Sequence, residues 1–182
     1  MIIVFFGAPG VGKGTQAALL AERTHVPHLS TGEAFRQAIR EETAMGKTAK
    51  DYVESGRLVP DDIVTGIVRE AMMKPGYAGG CILDGFPRTY GQASVLDDML
   101  AELGRSIGKV VNIEVDNEEI VQRMLRRGRK DDAEDVIRER LAIYEAETAP
   151  LLEYYAKAGK LVSVDGNADV ETVYSRIALT LG

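Results

Sequence analysis

The residues from Gly7 to Thr15 could cradle a phosphate group. The segment reads Gly-Ala-Pro-Gly-Val-Gly-Lys-Gly-Thr, directly after the apolar run Ile2–Phe6 and before a helical pattern at Ala17–Ala21. Glycines leave backbone N–H groups free to converge on phosphate oxygens, and the following helix adds a partial positive charge at its N-terminus. Lys13 supplies an ammonium group that can reach the β- and γ-phosphates. Because a strand, loop and helix follow in this order, we predict a P-loop.

Magnesium is not expected to bind a hydroxyl of this loop. The generic motif places serine or threonine directly after the lysine, whereas here Gly14 occupies that position and Thr15 follows. We expect contact with Mg²⁺ through water, because this ion usually keeps several of its waters. Asp84 follows the apolar run Cys81–Leu83, so it should end a strand. Its carboxylate is the candidate that organises the hydrated ion.

Arginines near predicted strand and helix ends form a second group of candidates. Arg88 lies just beyond the Cys81–Leu83 strand, and Arg36 falls in the first two turns of a helix expected to begin at Ser30. The densest basic run contains Arg123, Arg126, Arg127, Arg129, Lys130, Arg138 and Arg140. Guanidinium groups bind phosphates bidentately and stay charged. Since phosphoryl transfer depends mainly on positioning and charge neutralisation, these arginines together with a P-loop favour phosphate contact.

Apolar runs alternate with amphipathic stretches along the chain. Ile2–Phe6, Cys81–Leu83, Val110–Val115 and Leu161–Val164 are continuous rather than alternating in polarity, which is typical of strands covered on both faces. Helical spacing lies between them, for example at Ile63, Val64, Ile67, Val68 and Ala71. The pattern predicts the α/β class, with a doubly wound parallel sheet and helices on both faces. Ligands of such sheets lie at the carboxyl ends of the strands.

Helix boundaries carry their own signals. Ser30…Glu33, Thr89…Gln92 and Asp116…Glu119 have the spacing of a capping box, in which two side chains satisfy free backbone donors. The stretch Ala133–Lys157 reads as one long helix that Pro150 should kink.

Composition narrows the class of protein. A chain of 182 residues with 45% hydrophobic and 27% charged residues suits one packed domain. The net charge of −6 argues against nucleic acid or an anionic membrane as the main partner. The single cysteine, Cys81, excludes an internal disulfide and a multi-cysteine metal site. No stretch approaches the ~20 apolar residues of a membrane span, and the N-terminus lacks the features of a signal peptide. We therefore expect a cytoplasmic protein, and a monomer because no surplus apolar stripe is visible.

Several motifs together resemble the adenylate kinase family over the whole chain. Gly7–Thr15 is similar to the family's loop, including the glycine at position 14. The other similar segments are Leu29–Arg36 (an AMP-site helix start), Gly56–Asp61 (the end of the NMP-binding insertion), Asp84–Gln92 (a signature segment) and Arg129–Asp132 with Arg138 and Arg140 (the back of the lid).

The resemblance implies an architecture. A single P-loop kinase domain, 1–182, would contain a five-stranded parallel sheet, a small helical NMP-binding insertion at 30–59 and a short lid at 126–132. Only Gly128 separates Arg127 from Arg129, where long family members carry an extended lid that sometimes holds zinc through cysteines. This chain has no such cysteines, so we expect no zinc.

The resemblance also implies site residues for transfer of the γ-phosphoryl group of Mg·ATP to AMP, giving two ADP. The residues assigned to ATP are Gly10, Val11, Gly12, Lys13, Gly14, Thr15, Arg127 and Gly166. Those assigned to AMP are Thr31, Arg36, Arg57, Leu58, Val59, Gly85, Phe86, Pro87, Arg88, Gln92, Arg129 and Arg140. The catalytic group is Lys13, Arg88, Arg123, Arg129 and Arg140, and Asp84 would hold Mg²⁺ through water.

Alternative functions remain open at this point. Neither the Asn-Lys-x-Asp nor the Asp-x-x-Gly string of GTPases occurs in the chain. A UMP/CMP kinase of the same fold is a rival, although such relatives tend to carry Ala at the position of Thr31 and Asn at that of Thr89. A non-catalytic nucleotide-binding module should lack Lys13 or an arginine, and none is missing. Gln92 could serve only in a capping box, and Gly166 only in a turn.

Overall fold

The sheet in the computed structural model, which describes residues 1–182, has five parallel strands. They are β1 (Ile2–Phe6), β2 (His28–Ser30), β3 (Cys81–Asp84), β4 (Ile107–Glu114) and β5 (Leu161–Asp165). Their order across the sheet is β2-β3-β1-β4-β5, and every neighbouring pair is parallel. The predicted five-stranded α/β fold is therefore confirmed.

Nine α-helices surround this sheet. They are α1 (Lys13–Thr24), α2 (Thr31–Arg40), α3 (Ala44–Glu54), α4 (Asp61–Met72), α5 (Tyr90–Glu102), α6 (Asn117–Arg127), α7 (Glu134–Ile143), α8 (Pro150–Lys157) and α9 (Val170–Leu181). A short 3₁₀ turn covers Pro75–Tyr77, and a π-helical turn covers Tyr144–Thr148. None of the helices combines the length and the apolar content that crossing a bilayer requires.

Side-chain alternation along β1 builds a core on each face of the sheet. Val4 and Phe6 pack into one buried cluster, whereas Ile3 and Phe5 pack into the other. The first cluster includes side chains from α4, α5 and α8, and the second includes side chains from α1, α6 and α9. Because both faces are covered, the central strands read as continuous apolar runs.

Two local predictions need correction. The stretch Ala133–Lys157 is two helices joined by the π-helical turn rather than one kinked helix, and the Ala149 N–H donates to the Tyr144 carbonyl across five residues (2.8 Å). Pro150, which has no N–H to donate, is the first residue of α8. Asp116 precedes α6 but its side chain makes no capping hydrogen bond. The Ser30 and Thr89 caps are present.

Strand β2 was missed in the sequence. It has only three residues, in which the half-buried His28 and Ser30 flank the buried Leu29. An apolar run of strand length is therefore absent, and pairing with β3 alone defines this edge strand. Its carboxyl end places Ser30 beside Asp84, the last residue of β3.

Helices α2 and α3 form a small helical insertion between β2 and α4. They pack closely because Gly46 lies directly against the Ala38 carbonyl, where no other side chain fits. A second insertion is the short segment 128–133 between α6 and α7. Both insertions lie at the carboxyl-end side of the sheet, where their residues line one cleft with the loop after β1.

Candidate active site

The loop between β1 and α1 depends on glycine for its path. Gly7, Gly10 and Gly12 have φ angles of 130°, 89° and 104°, which side-chain-bearing residues rarely adopt. A Cβ atom on Gly10 would also lie 2.6 Å from the Met124 Cγ. Gly12 is the N-cap of α1 and offers no capping side chain. The backbone at the helix start is thus left open to a ligand, as phosphate binding requires.

The Lys13 side chain folds back over this loop. Its Nζ donates hydrogen bonds to the carbonyl oxygens of Gly7 (2.7 Å) and Ala8 (2.8 Å). The side chain as a whole is half-buried, but its ammonium group is enclosed by the loop, and this burial lowers the pKa of Lys13 to about 7. Asp84 opposes the effect, while the charges of Arg88, Arg140 and Arg127 add to it. An anion in the loop would therefore restore the charged form.

Gly14, where the loop departs from the generic P-loop motif, lies close to the Asp84 carboxylate. A Cβ atom at Gly14 would lie 3.3 Å from the Asp84 Oδ2 atom, which accepts a hydrogen bond from the Ser30 hydroxyl (3.0 Å) and lies 3.8 Å from His28 Nε2. Burial alone would raise the pKa of Asp84, but His28, Lys13 and Ser30 outweigh it and keep the pKa below its usual value. The result is an ionised carboxylate at the base of the cleft.

The donor set around Asp84 fits a hydrated magnesium ion. No group of three or more His, Cys, Asp or Glu side chains that could enclose a metal is present. The Asp84 Oδ1 atom makes no hydrogen bond within the protein and belongs to a residue that lines the cleft. A single carboxylate suits Mg²⁺, which is commonly bound by one or two carboxylates, substrate phosphates and water.

Arg88 is held from three directions. Its backbone N–H donates to Gln92 Oε1 (2.7 Å), its carbonyl accepts from the Thr148 hydroxyl (2.9 Å), and its Nε donates to the Gly85 carbonyl (2.9 Å). The other two guanidinium nitrogens make no hydrogen bond within the protein, and Arg88 lines the cleft together with Lys13. The Thr148 contact comes from the π-helical turn. Arg88 is therefore fixed in place, with two of its guanidinium nitrogens left without a partner in the protein.

Gln92 and Thr31 lie beside Arg88 in a small cavity of about 70 Å³ that adjoins the main cleft. Both are 2% exposed. The Thr31 hydroxyl donates to the Gly85 carbonyl (2.9 Å), and Gln92 Nε2 donates to Asp61 Oδ1 (2.7 Å). The Gln92 N–H donates to the Thr89 hydroxyl (3.1 Å), so Thr89 caps α5, while the Gln92 side chain lines the cavity.

The wall of this cavity opposite α5 comes from α2 and from the chain after α3. Arg36 is paired with Glu33 in the first turn of α2 (3.1 Å), and Arg57 donates to Ser55 (2.9 Å) and stacks on the Tyr52 ring. Leu58 and Val59 complete the wall.

Two neighbouring aspartates, Asp131 and Asp132, organise the arginines between the end of α6 and α7. Arg127 Nε and Nη2 donate to the two oxygens of Asp132 (2.9 and 2.6 Å), and the Arg129 N–H also reaches Asp132 (3.0 Å). Arg140 donates to Asp131 (2.9 Å). Burial lowers the pKa of Arg140 to about 10, with Asp131 opposing and Arg88 adding to the shift, so it stays charged at neutral pH. Arg127, Arg129 and Arg140 all line the cleft.

The far end of the cleft contains Arg123 and Gly166. Arg123 donates to the Gly166 carbonyl (3.2 Å) and to Glu119 (2.9 Å). A Cβ atom on Gly166 would lie 2.6 Å from a methyl carbon of Ile113, so this position has no space for a larger residue. The pair lies alongside Ala168 and Val170, at the end of the cleft away from Arg88.

The cleft, of about 740 Å³, gathers most of the residues singled out in the sequence. Those that line it are Gly10, Val11, Gly12, Lys13, Gly14, Thr15, Arg36, Leu58, Asp84, Gly85, Pro87, Arg88, Arg123, Arg127, Arg129, Arg140 and Gly166. Thr31, Arg57, Val59 and Gln92 line the smaller cavity instead. Phe86 lines neither, because its side chain is 1% exposed in the core, which leaves only its backbone to face a ligand.

Four polar residues of the site carried no role in the sequence reading. His28 and Ser30 contact Asp84, Thr148 holds the Arg88 carbonyl, and Asp61 holds Gln92. Each acts on a residue more than 30 positions away along the chain, and the only local signal was the capping position of Ser30. Sequence spacing alone could not have found the other three.

Comparison with known proteins agrees with this arrangement. Residues 5–160 match the sequence model described as adenylate kinase. The chain is 47% identical to adenylate kinase 1 of Nostoc sp., over 99% of this chain and 98% of the relative. It is 47% identical to the adenylate kinase of Rhodococcus erythropolis (100% and 99% covered) and 40% identical to that of Archaeoglobus fulgidus (100% and 98%). With the loop, the arginines and these matches over nearly its whole length, the chain belongs to the adenylate kinase family.

Proposed function

We propose that this protein transfers the γ-phosphoryl group of Mg·ATP to AMP, reversibly, giving two ADP, and so balances the adenine nucleotides. One observation carries the proposal: the P-loop lysine, Lys13, and the fixed arginine Arg88 line one cleft, and the lid arginines line it too. Membership of the adenylate kinase family supports the same reaction. The arrangement supplies what phosphoryl transfer needs, which is positioning of two anions and neutralisation of charge between them.

The donor nucleotide would bind along the P-loop side. Backbone N–H groups of Gly10–Thr15 and the Lys13 ammonium would meet its phosphates, with Arg127 above them. Arg123 and Gly166 lie at the far end of the same cleft and would flank its nucleoside. Asp84 would hold Mg²⁺ through water, and the ion would supply neutralisation of the β- and γ-phosphate charges.

The acceptor would bind on the opposite side of the cleft. Arg36 and Arg88 would grip the AMP phosphate, while Gln92 and Thr31 would face its base in the smaller cavity lined also by Arg57, Leu58 and Val59. In this assignment the segment 30–59, with α2 and α3, is the NMP-binding insertion. The backbone of Gly85–Pro87 would complete the floor beneath the acceptor.

No general base is required by this geometry. The attacking oxygen belongs to a phosphate monoester whose second pKa is about 6, so it is already ionised at neutral pH. Lys13, Arg88, Arg129 and Arg140 would stabilise the charge that spreads over the moving phosphoryl group. The short lid at 126–132 would cover the reacting groups and exclude water, which suppresses hydrolysis of ATP.

Lys13→Met tests the P-loop assignment. Its charge should matter more in the transition state than in the ground state, because negative charge shifts onto the bridging oxygen as the bond breaks. We expect kcat to fall at least ~100-fold, the scale seen when one preorganised donor is removed. The measurement is coupled detection of ADP from ATP plus AMP, with circular dichroism as the folding control. A folded variant with wild-type kcat would refute the assignment.

Competition among AMP, CMP and UMP at one ATP concentration tests which nucleobase the acceptor site prefers. A pocket lined by Gln92 and Thr31 should leave polar groups unpaired around a pyrimidine, which costs ~1–3 kcal/mol for each lost partner. We expect kcat/KM for AMP to exceed the others at least ~10-fold. Equal use of UMP or CMP would leave phosphoryl transfer standing and reject AMP as the acceptor.

We also infer a cytoplasmic monomer whose partners are ATP, AMP and ADP. The free Cys81 is buried, as suits a reducing compartment, and the acidic net charge disfavours nucleic acid. Among the exposed large apolar side chains, Met73, Leu125 and Leu179 lie at or near the ends of three different helices. Sedimentation of the purified protein at micromolar concentration tests the monomer.

A further inference from the structure

A hydrogen-bonded chain fixes the side chain of Gln92 from both ends. Oε1 of Gln92 accepts from the Arg88 backbone N–H (2.7 Å), and its Nε2 donates to Oδ1 of Asp61 (2.7 Å). The other Asp61 oxygen, Oδ2, accepts from the Thr89 hydroxyl (2.7 Å). Asp61 is the first residue of α4, so this chain ties α4 to the start of α5.

The two partners leave the Gln92 amide only one orientation. A backbone N–H can only donate, and a carboxylate can only accept. Exchanging the amide oxygen and nitrogen would place Nε2 against the Arg88 N–H and Oε1 against the Asp61 carboxylate. Both native hydrogen bonds would be replaced by repulsive contacts, inside a site where Gln92 is 2% exposed. The orientation therefore follows from the chemistry of the partners.

The fixed amide retains a definite unused capacity. One lone pair of Oε1 and one N–H of Nε2 have no partner within the protein. Together they offer an acceptor beside a donor. Adenine presents the complementary edge, an N6 donor beside the N1 acceptor. A 6-oxo purine presents an O6 acceptor beside an N1–H donor, which only the exchanged amide could meet.

We propose that Asp61 is a specificity-determining residue, which locks the Gln92 amide and so excludes 6-oxo purine monophosphates from the acceptor site. The inference rests on the proposed function and deepens it, since it names the distinction between 6-amino and 6-oxo purines. Asp61 lines neither cavity and acts through Gln92, so it is a positioning residue. Arg88 contributes through its backbone, which no substitution of its side chain removes.

Asp61→Asn tests the contribution of the Asp61 carboxylate separately from that of the Arg88 backbone, and IMP is the probe. IMP carries the 6-oxo edge without the extra 2-amino group of GMP. An asparagine at position 61 can accept from Nε2 or donate to the exchanged Oε1, so the Asp61 half of the lock is lost, while the Arg88 N–H and the size of the side chain are kept. Asp62→Asn is the matched control, because Asp62 is exposed in the same first turn, makes no side-chain hydrogen bond and carries the same charge.

The expected result is a change in preference rather than a general loss. Wild type should prefer AMP to IMP at least ~100-fold in kcat/KM, as expected of a site built around a base-pairing edge. In Asp61→Asn the preference should fall about fivefold, because the exchanged amide then meets one repulsive contact, at the Arg88 N–H, instead of two, so that kcat/KM for IMP rises relative to that for AMP. The change should lie in the KM of the monophosphate, with the KM of ATP unchanged. Asp62→Asn should keep the wild-type preference.

Other outcomes overturn the proposal in distinguishable ways. If wild type forms no ADP from AMP, the proposed function itself fails. If wild type uses AMP and Asp61→Asn keeps its preference, or loses AMP and IMP equally, the lock fails while the function stands. The same shift in Asp62→Asn would assign the effect to charge at the start of α4 and would also overturn the lock.

A measurement on the wild type covers the case in which Asp61→Asn does not fold. In isotopically labelled protein, scalar couplings across hydrogen bonds should link the Gln92 side-chain nitrogen to the Asp61 carboxyl carbon, and the Arg88 amide nitrogen to the Gln92 side-chain carbonyl carbon. Observing both supports the lock. Their absence in a spectrum that resolves these signals overturns it.

Discussion

Arg127 and Asp132 form a two-point ion pair in which Nε and Nη2 of the arginine donate to both oxygens of the carboxylate, at 2.9 and 2.6 Å. The Asp132 side chain is 1% exposed, whereas that of Arg127 is 30% exposed. The buried carboxylate thus fixes an arginine that lines the cleft. Asp132, which belongs to the segment between α6 and α7, thereby anchors this segment to the end of α6.

Asp132→Asn should destabilise the protein in a pH-dependent way. Burial alone would raise the pKa of Asp132, but Arg127 and the Arg129 N–H lower it below its usual value. A lowered pKa in the folded state gives stability that is present above the unfolded pKa of about 3.9 and is lost as the pH falls through the folded pKa. We expect the free energy of unfolding of the variant to be about 1–2 kcal/mol lower than that of wild type at pH 7, a range that allows for the partly exposed arginine. This difference should shrink below about pH 4.

Urea denaturation of wild type and variant at several pH values measures this difference. Asp135→Asn is a suitable control, because Asp135 is exposed in the first turn of α7 and makes no side-chain hydrogen bond. An equal loss of stability at pH 7 and at pH 3.5 would contradict the role of the Asp132 charge.

ATP binding should take up a proton above neutral pH. Burial lowers the pKa of Lys13 to about 7, so much of this side chain is neutral at pH 8 until phosphates raise its pKa again. We expect uptake of close to one proton at pH 8 and much less at pH 6, by the usual linkage of binding and titration. Calorimetric titrations in two buffers of different ionisation enthalpy give the proton count. Lys13→Met should show no such uptake at pH 8, and an undiminished uptake there would rule out Lys13 as its source.

Thr148→Val should lower kcat/KM for AMP. Valine keeps the shape of threonine but cannot donate to the Arg88 carbonyl, which the Thr148 hydroxyl reaches at 2.9 Å. One lost hydrogen bond to a part-buried carbonyl costs about 1 kcal/mol, so kcat/KM for AMP should fall roughly fivefold. Thr148→Ser restores the hydroxyl and should recover most of the loss. Steady-state kinetics with AMP varied provide the test, and identical losses in both variants would mean that the hydroxyl is not responsible.

Tyr155→Phe and Tyr154→Phe should change stability in opposite directions. The Tyr155 hydroxyl is buried without a hydrogen-bond partner beneath the sheet, whereas the Tyr154 hydroxyl donates to Asp97 (2.6 Å) near the surface. Removing an unpaired buried hydroxyl should raise the free energy of unfolding by up to about 1 kcal/mol. Removing the paired, exposed one should lower it by about 0.5–1 kcal/mol. Thermal denaturation monitored by circular dichroism distinguishes the two, and a clear loss in Tyr155→Phe would contradict the unpaired state of its hydroxyl.

The parts of the fold that follow from local pattern were predictable. The strand Ile2–Phe6, the loop after it and the strand ending at Asp84 each rest on a continuous run of residues of the required type. Strand β2 was not predictable, because its three residues acquire strand geometry from pairing with β3. The π-helical turn at Tyr144–Thr148 was also hidden, since only its end is marked by Pro150.

The site divides in the same way. Lys13 and Arg88 are marked by motifs, so their place in the cleft could be expected. The partners that hold such residues come from elsewhere in the chain, as Asp61 does for Gln92 across 31 positions. This pairing depends on how α4 and α5 pack against each other. A hydrogen bond between residues so far apart in the sequence follows no fixed spacing that could be recognised beforehand.

The close approach of Gly14 to Asp84 makes two distant positions interdependent. A serine at position 14 would bring its Cβ atom within 3.3 Å of Asp84 Oδ2, and its hydroxyl would compete for the oxygen that Ser30 already holds. A side chain at position 14 and the Ser30 hydroxyl would therefore share the same carboxylate oxygen, and the tight contact would require a small shift of Asp84. The effect of a substitution at position 14 should therefore depend on the residue at position 84, although 70 positions separate them in the sequence.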